Sequence, residues 1–251
     1  YNGLDGSLLW KRPSRDEVFG SAIFQDITGD GIKDIIIAGR SAQLLAIDGT
    51  NGTLLWDFLD NTNFPDSALY NFYNPQFIDD VDNDNYNDIL VSYGGDHAAP
   101  DWDSNRPPGH LMVVSALTGD LIVQAVVPDS AEIYCSPIIA DIQNTGNQWI
   151  LYGTGGENFG GHFYAALLDD LLLGDLTGSI VLGSDPNKGF IAPAAIHKKN
   201  SGIYDIITQS FDGVVTKIDG QTFSSIWTYQ KSGTESSAEP VIGNFTGDLT
   251  P

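Results

Sequence analysis

The sequence predicts an all-β fold, a β-propeller built from four-stranded antiparallel blades, and three observations lead to this prediction. First, a short polar loop flanked by runs of Ile, Val and Leu recurs at intervals of roughly fifty residues, a spacing typical of propeller blades. Second, an IDG turn motif follows some of these loops, as at Ile47–Gly49 and Ile218–Gly220. Third, the 251 residues include 28 Gly, 33 Asp plus Glu and 41% hydrophobic residues, which suits many short strands joined by tight turns.

Each repeat contains four strand-like runs. The first run precedes the polar loop and the second follows it, as in Ile35–Ala38, Ile89–Ser92 and Ile206–Gln209. The third run leads into the turn motif, and the fourth leaves it and ends at Trp56 in one repeat and Trp227 in another. Consecutive strands joined by tight turns form an antiparallel meander, and four such strands make one blade.

The repeats divide the chain into blades and leave its two ends incomplete. Four complete blades are expected at approximately 20–58, 75–127, 136–182 and 192–230, with partial blades at 1–12 and 238–251. Within the third blade, Ala165–Leu173 is open to an alternative, a short helix. Open sheet edges expose unpaired backbone groups, so we expect the chain to be part of a longer protein or a larger assembly. Two interlocked halves from separate chains are the alternative.

The charge of the chain restricts its partners. The net charge of −22 disfavours nucleic acid and anionic membrane surfaces, because both would repel the protein. It favours cationic partners, of which metal ions are the simplest. No apolar run is long enough to insert directly into a membrane, and the single cysteine, Cys135, excludes an internal disulfide.

Two of the polar loops carry oxygen ligands at the alternating positions that suit calcium. Side chains at positions one, three, five and nine of a tight loop, with the carbonyl of position seven, converge on one point, and Ca²⁺ takes six to eight oxygens. Without a cation, four carboxylates in one loop would repel one another, although simple Asx-turns are the alternative. The sequence therefore predicts about two Ca²⁺ ions. The predicted ligands are Asp26, Thr28, Asp30, Ile32 and Asp34 in the first loop and Asp80, Asp82, Asp84, Tyr86 and Asp88 in the second.

The flanking segments exclude an EF-hand, and the other two loops lack the ligands for calcium. An EF-hand would have Glu at position twelve and a helix on each side, but position twelve is Ile37 or Val91 within a β-branched run. The third loop retains one carboxylate, Asp141, and is too poor in ligands for a metal site. The fourth loop has His197 and Lys199 at ligand positions, where the lysine ammonium can take the place of a cation.

The residues around the first loop also resemble a known family. Phe19–Gly39, FGSAIFQDITGDGIKDIIIAG, resembles the FG-GAP repeat of integrin α-subunit propellers, because the Phe-Gly pair, the acidic loop and the following Gly all fall in place. Ile47–Trp56 is similar to the outer-strand motif of quinoprotein-like propellers. The resemblance covers nearly the whole chain as a repeat pattern and weakens in the third and fourth blades. It implies calcium between the first and second strands of a blade, and an extracellular or cell-surface location.

Long insertions predict an interaction surface on the face opposite the calcium loops. Gly94–Gly109 and Gly153–Gly161 both connect the second and third strands of their blades, and an aromatic-rich segment, Leu59–Asn74, leads into the second blade. Long loops on a rigid scaffold are common binding sites, although ordinary variable loops are the alternative. The predicted ligand-binding residues are Trp102, Asp101, Asp103, Phe64, Tyr70 and Tyr73.

These observations favour a non-enzymatic protein. The expected function is a secreted or cell-surface adhesion module that is stabilised by calcium and binds a protein or a glycan. A structural subunit of a larger surface assembly is one alternative. The other is an enzyme acting on polysaccharide, because paired acids are the chemistry of glycoside hydrolysis. The acids that could share one face are Asp96, Asp101, Asp103 and Glu157.

Overall fold

The protein consists of four consecutive four-stranded sheets, which are the blades of a β-propeller. A computed structural model describes residues 1–18, 20–60, 71–96, 99–100 and 102–246. Blade one contains β1 Ile23–Gln25, β2 Asp34–Ala38, β3 Leu44–Ile47 and β4 Leu54–Asp57. Blade two contains β5 Gln76–Ile78, β6 Asp88–Tyr93, β7 His110–Val114 and β8 Leu121–Val126. Blade three contains β9 Ile138–Ala140, β10 Trp149–Gly153, β11 Gly161–Leu167 and β12 Ile180–Asp185. Blade four contains β13 Ala195–Lys198, β14 Tyr204–Gln209, β15 Val214–Asp219 and β16 Ser224–Gln230.

Every blade is a simple antiparallel meander, with its strands hydrogen-bonded in chain order. The pairing of the third and fourth strands shifts register once in each blade, for example at Ala46/Ile47 in blade one and Val113/Val114 in blade two. A bulge of this kind increases the local twist of the outer strand. The four repeats therefore share a detailed backbone geometry as well as a strand count.

Alternating burial explains how the blades stack. Successive side chains of a strand point to opposite faces of the sheet. In β6, Ile89 and Val91 belong to the core shared with blade one, whereas Leu90 belongs to the core shared with blade three. All six residues of β6 are consequently buried, which accounts for a strand with no exposed face.

The two ends of the described chain differ from this pattern. All seven residues of β16 are exposed. Residues 1–18 contain no assigned strand, so the expected partial blade at 1–12 is present as sequence but not as a strand. The physical reason is that a fourth strand needs a third strand as its pairing partner. No strand is assigned at 238–246 either, and the last five residues of that expected partial blade lie outside the described residues.

The predicted alternative of a helix at Ala165–Leu173 is correct only in part. Residues up to Leu167 form the end of β11, and a short helix, α1, spans Leu168–Leu172. Leu168 and Leu171, the buried residues of this helix, anchor it to the core of blades two and three. None of the helices in the described part of the chain has the length and apolarity needed to cross a membrane.

A tryptophan from the fourth strand position of one blade packs on the turn of the next. Trp10 Nε1 donates to Gly49 O at 3.0 Å, and Trp56 Nε1 donates to Ala116 O at 2.8 Å. The indoles lie against Gly52 and Gly119, where an added Cβ would meet ring atoms at 2.7 and 2.6 Å. Trp10 and Trp56 therefore contribute to packing between blades.

Candidate functional site

The polar loops between the first and second strands share a left-handed residue at position six in all four blades. Position six has a positive φ in every loop, at +87° for Gly31, +73° for Asn85, +90° for Gly146 and +89° for Gly202. Gly and Asn are the residues that enter this left-handed region at least cost. Because loops with and without acidic residues share this left-handed position, the position does not by itself indicate a metal site. The side chains must therefore distinguish a calcium site from a simple turn.

The loop of blade two brings three carboxylates together. One oxygen from each of Asp80, Asp82 and Asp88 lies within 4.8 Å of the other two, and no second cluster of this kind occurs among the described residues. The fourth predicted carboxylate, Asp84, is turned to neighbours: its Oδ1 accepts from Tyr86 N–H at 2.8 Å and its Oδ2 from Ser115 Oγ at 3.2 Å. Hard oxygen donors of this number and charge fit Ca²⁺.

Asp88 is the residue that makes this cluster unusual. Its side chain is fully buried, its Oδ2 accepts from Val81 N–H at 2.8 Å, and its Oδ1 has no hydrogen-bond partner among the described residues. The pKa of Asp88 is raised to about 6, chiefly by burial and also by the nearby charges of Asp82, Asp84 and Asp80, while the Val81 hydrogen bond acts in the opposite direction. A buried carboxylate oxygen without a partner is costly, and a cation is the partner that would satisfy it.

The loop of blade one is satisfied by its own backbone. Asp34 is also fully buried, but its Oδ2 accepts from Ile27 and Thr28 N–H at 2.8 and 2.9 Å and its Oδ1 from Gly49 N–H at 3.0 Å. Asp26 accepts from the N–H groups of positions four to six of the loop. The pKa of Asp30 is lowered, because Ile32 N–H and the Thr50 hydroxyl donate to its oxygens. This loop therefore has oxygens of the kind that bind calcium, but both oxygens of its buried Asp34 already accept hydrogen bonds.

Blade four places a lysine at the centre of the corresponding cluster. Asp205, at position nine, is buried, and its Oδ1 lies 2.9 Å from Lys199 Nζ. The same ammonium lies 3.0 Å from Asp219 Oδ2. The hydrogen bonds to Asp205 and Asp219 raise the pKa of Lys199, so it is charged at neutral pH. The ammonium thus takes the cation position, as the sequence predicts, and in blade three Trp149 replaces the position-nine carboxylate altogether.

Replacement of Lys199 tests its ion pairs with Asp205 and Asp219, while Lys217 Nζ, 3.0 Å from Asp205 Oδ2, stays in place. We expect Lys199→Met to destabilise the chain by about 1–2 kcal/mol, because Asp205 and Asp219 lose a charged hydrogen-bond donor that is itself partly exposed. Chemical denaturation measures this change. Lys33→Met, which removes the same charge from an exposed lysine, is the control and should change stability by less than about 0.5 kcal/mol. Equal effects of the two substitutions would contradict the assignment.

The opposite end of the blades, which we call the pocket face, carries the long insertions. Backbone hydrogen bonds link neighbouring blades there, including Phe72 N to Gly39 O at 3.0 Å and Gly155 N to Glu132 O at 2.8 Å. Among the predicted ligand-binding residues, Trp102 is 82% exposed. Asp103 is held by its backbone, since its carbonyl accepts from Arg106 Nε at 2.9 Å.

Tyr73 differs from the expectation of a surface aromatic. It is buried, with its ring centroid 6.1 Å from that of Tyr134, because the chain entering blade two packs under the following connection. Its interpretation as a ligand-binding residue is therefore corrected to a packing role. The remaining predicted residues of this surface, Phe64, Tyr70 and Asp101, lie outside the described residues, as does Phe19 of the FG-GAP-like segment.

A pocket on this face was not predicted from the sequence. It has a volume of about 350 Å³ and lies where connections of blades two and three meet. Its lining includes Arg106 and Asp96 from one insertion, Phe159 and Glu157 from the other, and Glu132 from the connection between the blades. Glu132 stands in the sequence as a single acid beside buried Ile133, without a motif that could have indicated its role.

Comparison with known proteins agrees with this architecture. Four meander sheets with shared inter-blade cores define the chain as a β-propeller protein. The FAM234A/B beta-propeller family matches residues 1–164, and the chain belongs to that family. A comparison with curated proteins finds no match. The finer resemblance to FG-GAP and integrin propellers stays a prediction.

Solved structures of other propellers share the fold at low sequence identity. BamB from Moraxella catarrhalis is 13% identical with a TM-score of 0.54, over 90% of this chain and 56% of that one. Quinohemoprotein alcohol dehydrogenase from Comamonas testosteroni is 13% identical with a TM-score of 0.53, over 78% and 34% of the two chains. A europium-containing methanol dehydrogenase is 13% identical with a TM-score of 0.53, over 83% and 43%. The chain thus spans between a third and just over half of these proteins, and the likeness concerns the fold alone.

Proposed function

We propose that this chain is a calcium-stabilised, extracellular interaction module that binds a partner through its pocket face. The observation that carries the proposal is the buried, unpartnered Oδ1 of Asp88 within a cluster of three carboxylates. Asp80, Asp82 and Asp88 would hold the ion by their side chains, and the carbonyl of Tyr86 would complete the set with water. The ion would satisfy a buried charge and join the two strands that flank the loop. Its role is structural and not catalytic.

The two acidic loops are not equivalent in this proposal. In blade two, calcium relieves a buried carboxylate oxygen that nothing else satisfies. In blade one, three backbone N–H groups already donate to the Asp34 oxygens, and an ion would have to compete with these hydrogen bonds. We therefore expect the blade-two loop to bind first and with the higher affinity, and the blade-one loop, through Asp26, Thr28, Asp30, Ile32 and Asp34, to bind second.

Replacement of Asp88 separates the metal site from the fold. Asp88→Asn should abolish the calcium-dependent gain in stability, because it removes the buried charge while keeping an acceptor for Val81 N–H. In chelator at pH 8 the same variant should be more stable than the parent by about 3 kcal/mol, since a native pKa of about 6 disfavours the ionised carboxylate. Thermal denaturation with and without calcium measures both effects.

The pH dependence of this effect has a defined sign. The native pKa of Asp88 is raised, so the metal-free chain loses this part of its stability as pH rises from about 4 through about 6. The advantage of Asp88→Asn in chelator should therefore vanish near pH 4. Asp141→Asn, in a loop with one carboxylate, is the matched control and should leave the calcium response unchanged. A normal calcium response in Asp88→Asn would refute the ligand assignment.

Trp102 tests the binding part of the proposal. At 82% exposure it contributes little to the core, so Trp102→Ala should change the thermal midpoint by less than about 2 °C. Exposed aromatic residues supply much of the energy of binding surfaces, so the same change should weaken binding to glycan and protein arrays. Intact binding combined with a large loss of stability would show that Trp102 is a packing residue.

A further inference from the structure

The pocket on the pocket face contains a buried acid whose second oxygen is open. Glu132 is 3% exposed, and its Oε2 accepts from Tyr134 O–H at 2.9 Å. None of the described residues donates a hydrogen bond to its Oε1. Gly156 keeps this oxygen accessible, because a Cβ at that position would lie 3.0 Å from Oε1 and 3.1 Å from the Tyr134 ring.

The two arginines of the pocket already have partners within the chain. Arg40 pairs with Glu17 at 2.6 Å. Arg106 donates to three backbone carbonyls, Asp103 O at 2.9 Å, Asp96 O at 2.7 Å and Pro100 O at 3.0 Å. Its Nε is 3.9 Å from Glu132 Oε2, beyond hydrogen-bond distance. Arg106 therefore ties Asp96, Pro100 and Asp103 together, and it approaches Glu132 as an ion pair without a hydrogen bond.

Acids outnumber arginines in the lining of the pocket. Asp96, Glu132 and Glu157 line it together with the two engaged arginines, and the whole chain carries a net charge of −22. Burial raises the pKa of Glu132, with Asp96 adding to the effect and Tyr134 and Arg106 opposing it. A ligand that brings a positive charge would offset both the burial of Glu132 and the repulsion between the acids. An acidic surface would also attract such a ligand over a distance.

We propose that this pocket binds the positively charged side chain of a lysine or arginine presented by a partner protein, with Glu132 Oε1 as the central acceptor. Tyr134 lines the same pocket and offers aromatic surface on which a guanidinium can pack, whereas Arg106 already lies over the Phe159 ring, 5.4 Å from its centroid. The inference rests on the proposed function, in which the pocket face is the binding surface. It names the chemistry recognised there.

The test is a titration followed by NMR with short capped peptides. The sequence Gly-Gly-Arg-Gly-Gly and its lysine counterpart are compared with the same peptide containing norleucine, which keeps the apolar stem without a charge. The arginine and lysine peptides should shift signals of the pocket residues, and the norleucine peptide should bind at least tenfold more weakly. Glu132→Gln should weaken binding of the charged peptides at least tenfold, as should Gly156→Ala, which narrows the approach to Oε1 without changing charge.

Glu235→Gln is the matched control, because it removes the same charge from an exposed side chain that does not line the pocket. It should leave peptide affinity within twofold of the parent. Equal binding of the norleucine peptide, full affinity in Glu132→Gln, or the absence of any shift with the charged peptides would overturn the inference, and so would displacement of the charged peptides by a neutral oligosaccharide. The titration is run in calcium and again in chelator. A calcium-dependent rise in thermal midpoint without peptide binding would reject the pocket inference and leave the calcium scaffold standing.

Discussion

Removal of calcium is expected to lower the thermal midpoint of this chain by about 5–10 °C, and re-addition of calcium is expected to restore it. The reason is mass action: a ligand that binds only the folded state at a hundred times its dissociation constant stabilises by about 2.7 kcal/mol. For a chain of this size, 1 kcal/mol corresponds to about 2–4 °C. The gain should arise mainly at the blade-two loop, where Asp88 Oδ1 is buried without a partner. Differential scanning calorimetry in calcium and in excess chelator measures it.

Magnesium is the control for this experiment. Mg²⁺ is smaller, demands octahedral geometry and gives up its water reluctantly, so at equal concentration it should stabilise less than Ca²⁺. An equal rise with both ions would point to general screening of the acidic surface instead of a defined site. A thermal midpoint that is identical in calcium and in chelator would contradict the calcium-scaffold proposal.

Trp56→Ala is expected to destabilise the chain by about 3–5 kcal/mol, the range observed for large aromatic residues removed from a packed core. Trp56 is 6% exposed, donates a hydrogen bond to Ala116 O at 2.8 Å and covers Gly119 of the next blade. Its removal would leave a cavity between blades one and two and an unsatisfied carbonyl. Equilibrium unfolding in urea measures the loss.

Trp227 provides the matched control within the same repeat position. It is 45% exposed, because no following blade covers it in the described part of the chain. Trp227→Ala should therefore change stability by less than about 1 kcal/mol. The partner side of the contact gives a second check: Gly119 has φ +77°, and an added Cβ would meet Trp56 at 2.6 Å. Gly119→Ala should destabilise as well, and equal losses for the two tryptophans would refute docking between blades as the source of stability.

The sequence predicts the fold well because the same order of turn residues and apolar runs recurs in each blade. Turn residues at fixed spacing, such as Gly31 and Asn85, take the expected left-handed backbone. Alternating apolar residues in β6 pack against blade one and blade three, as expected for a strand that lies between two stacked sheets. The short helix α1 is harder to predict from the sequence, because the mixture of Leu and Asp in Leu168–Leu172 suits a helix or a strand. In the expected partial blade at 1–12 no strand is assigned, although Trp10 packs on the turn of blade one as Trp56 packs on that of blade two.

The site is predicted less completely because its chemistry depends on contacts between distant residues. The spacing of Asp80, Asp82 and Asp88 indicates calcium, but it does not reveal that Ser115 would draw Asp84 aside. Nor does the loop sequence of blade one show that Gly49, fifteen residues away, would satisfy Asp34. Glu132 has no sequence signal, since its burial arises only when two insertions converge around it. Local motifs therefore identify ligand types, and tertiary contacts decide which of those ligands are free.

The most direct test of the calcium site is a crystal structure of the chain grown in millimolar calcium, with anomalous diffraction to locate the ions. The account predicts a peak in the blade-two loop, with oxygens of Asp80, Asp82 and Asp88 at about 2.3–2.6 Å from it. It predicts a weaker peak or none in blade one, and Lys199 Nζ in place of an ion in blade four. An ordered blade-two loop without a peak under these conditions would contradict the central claim.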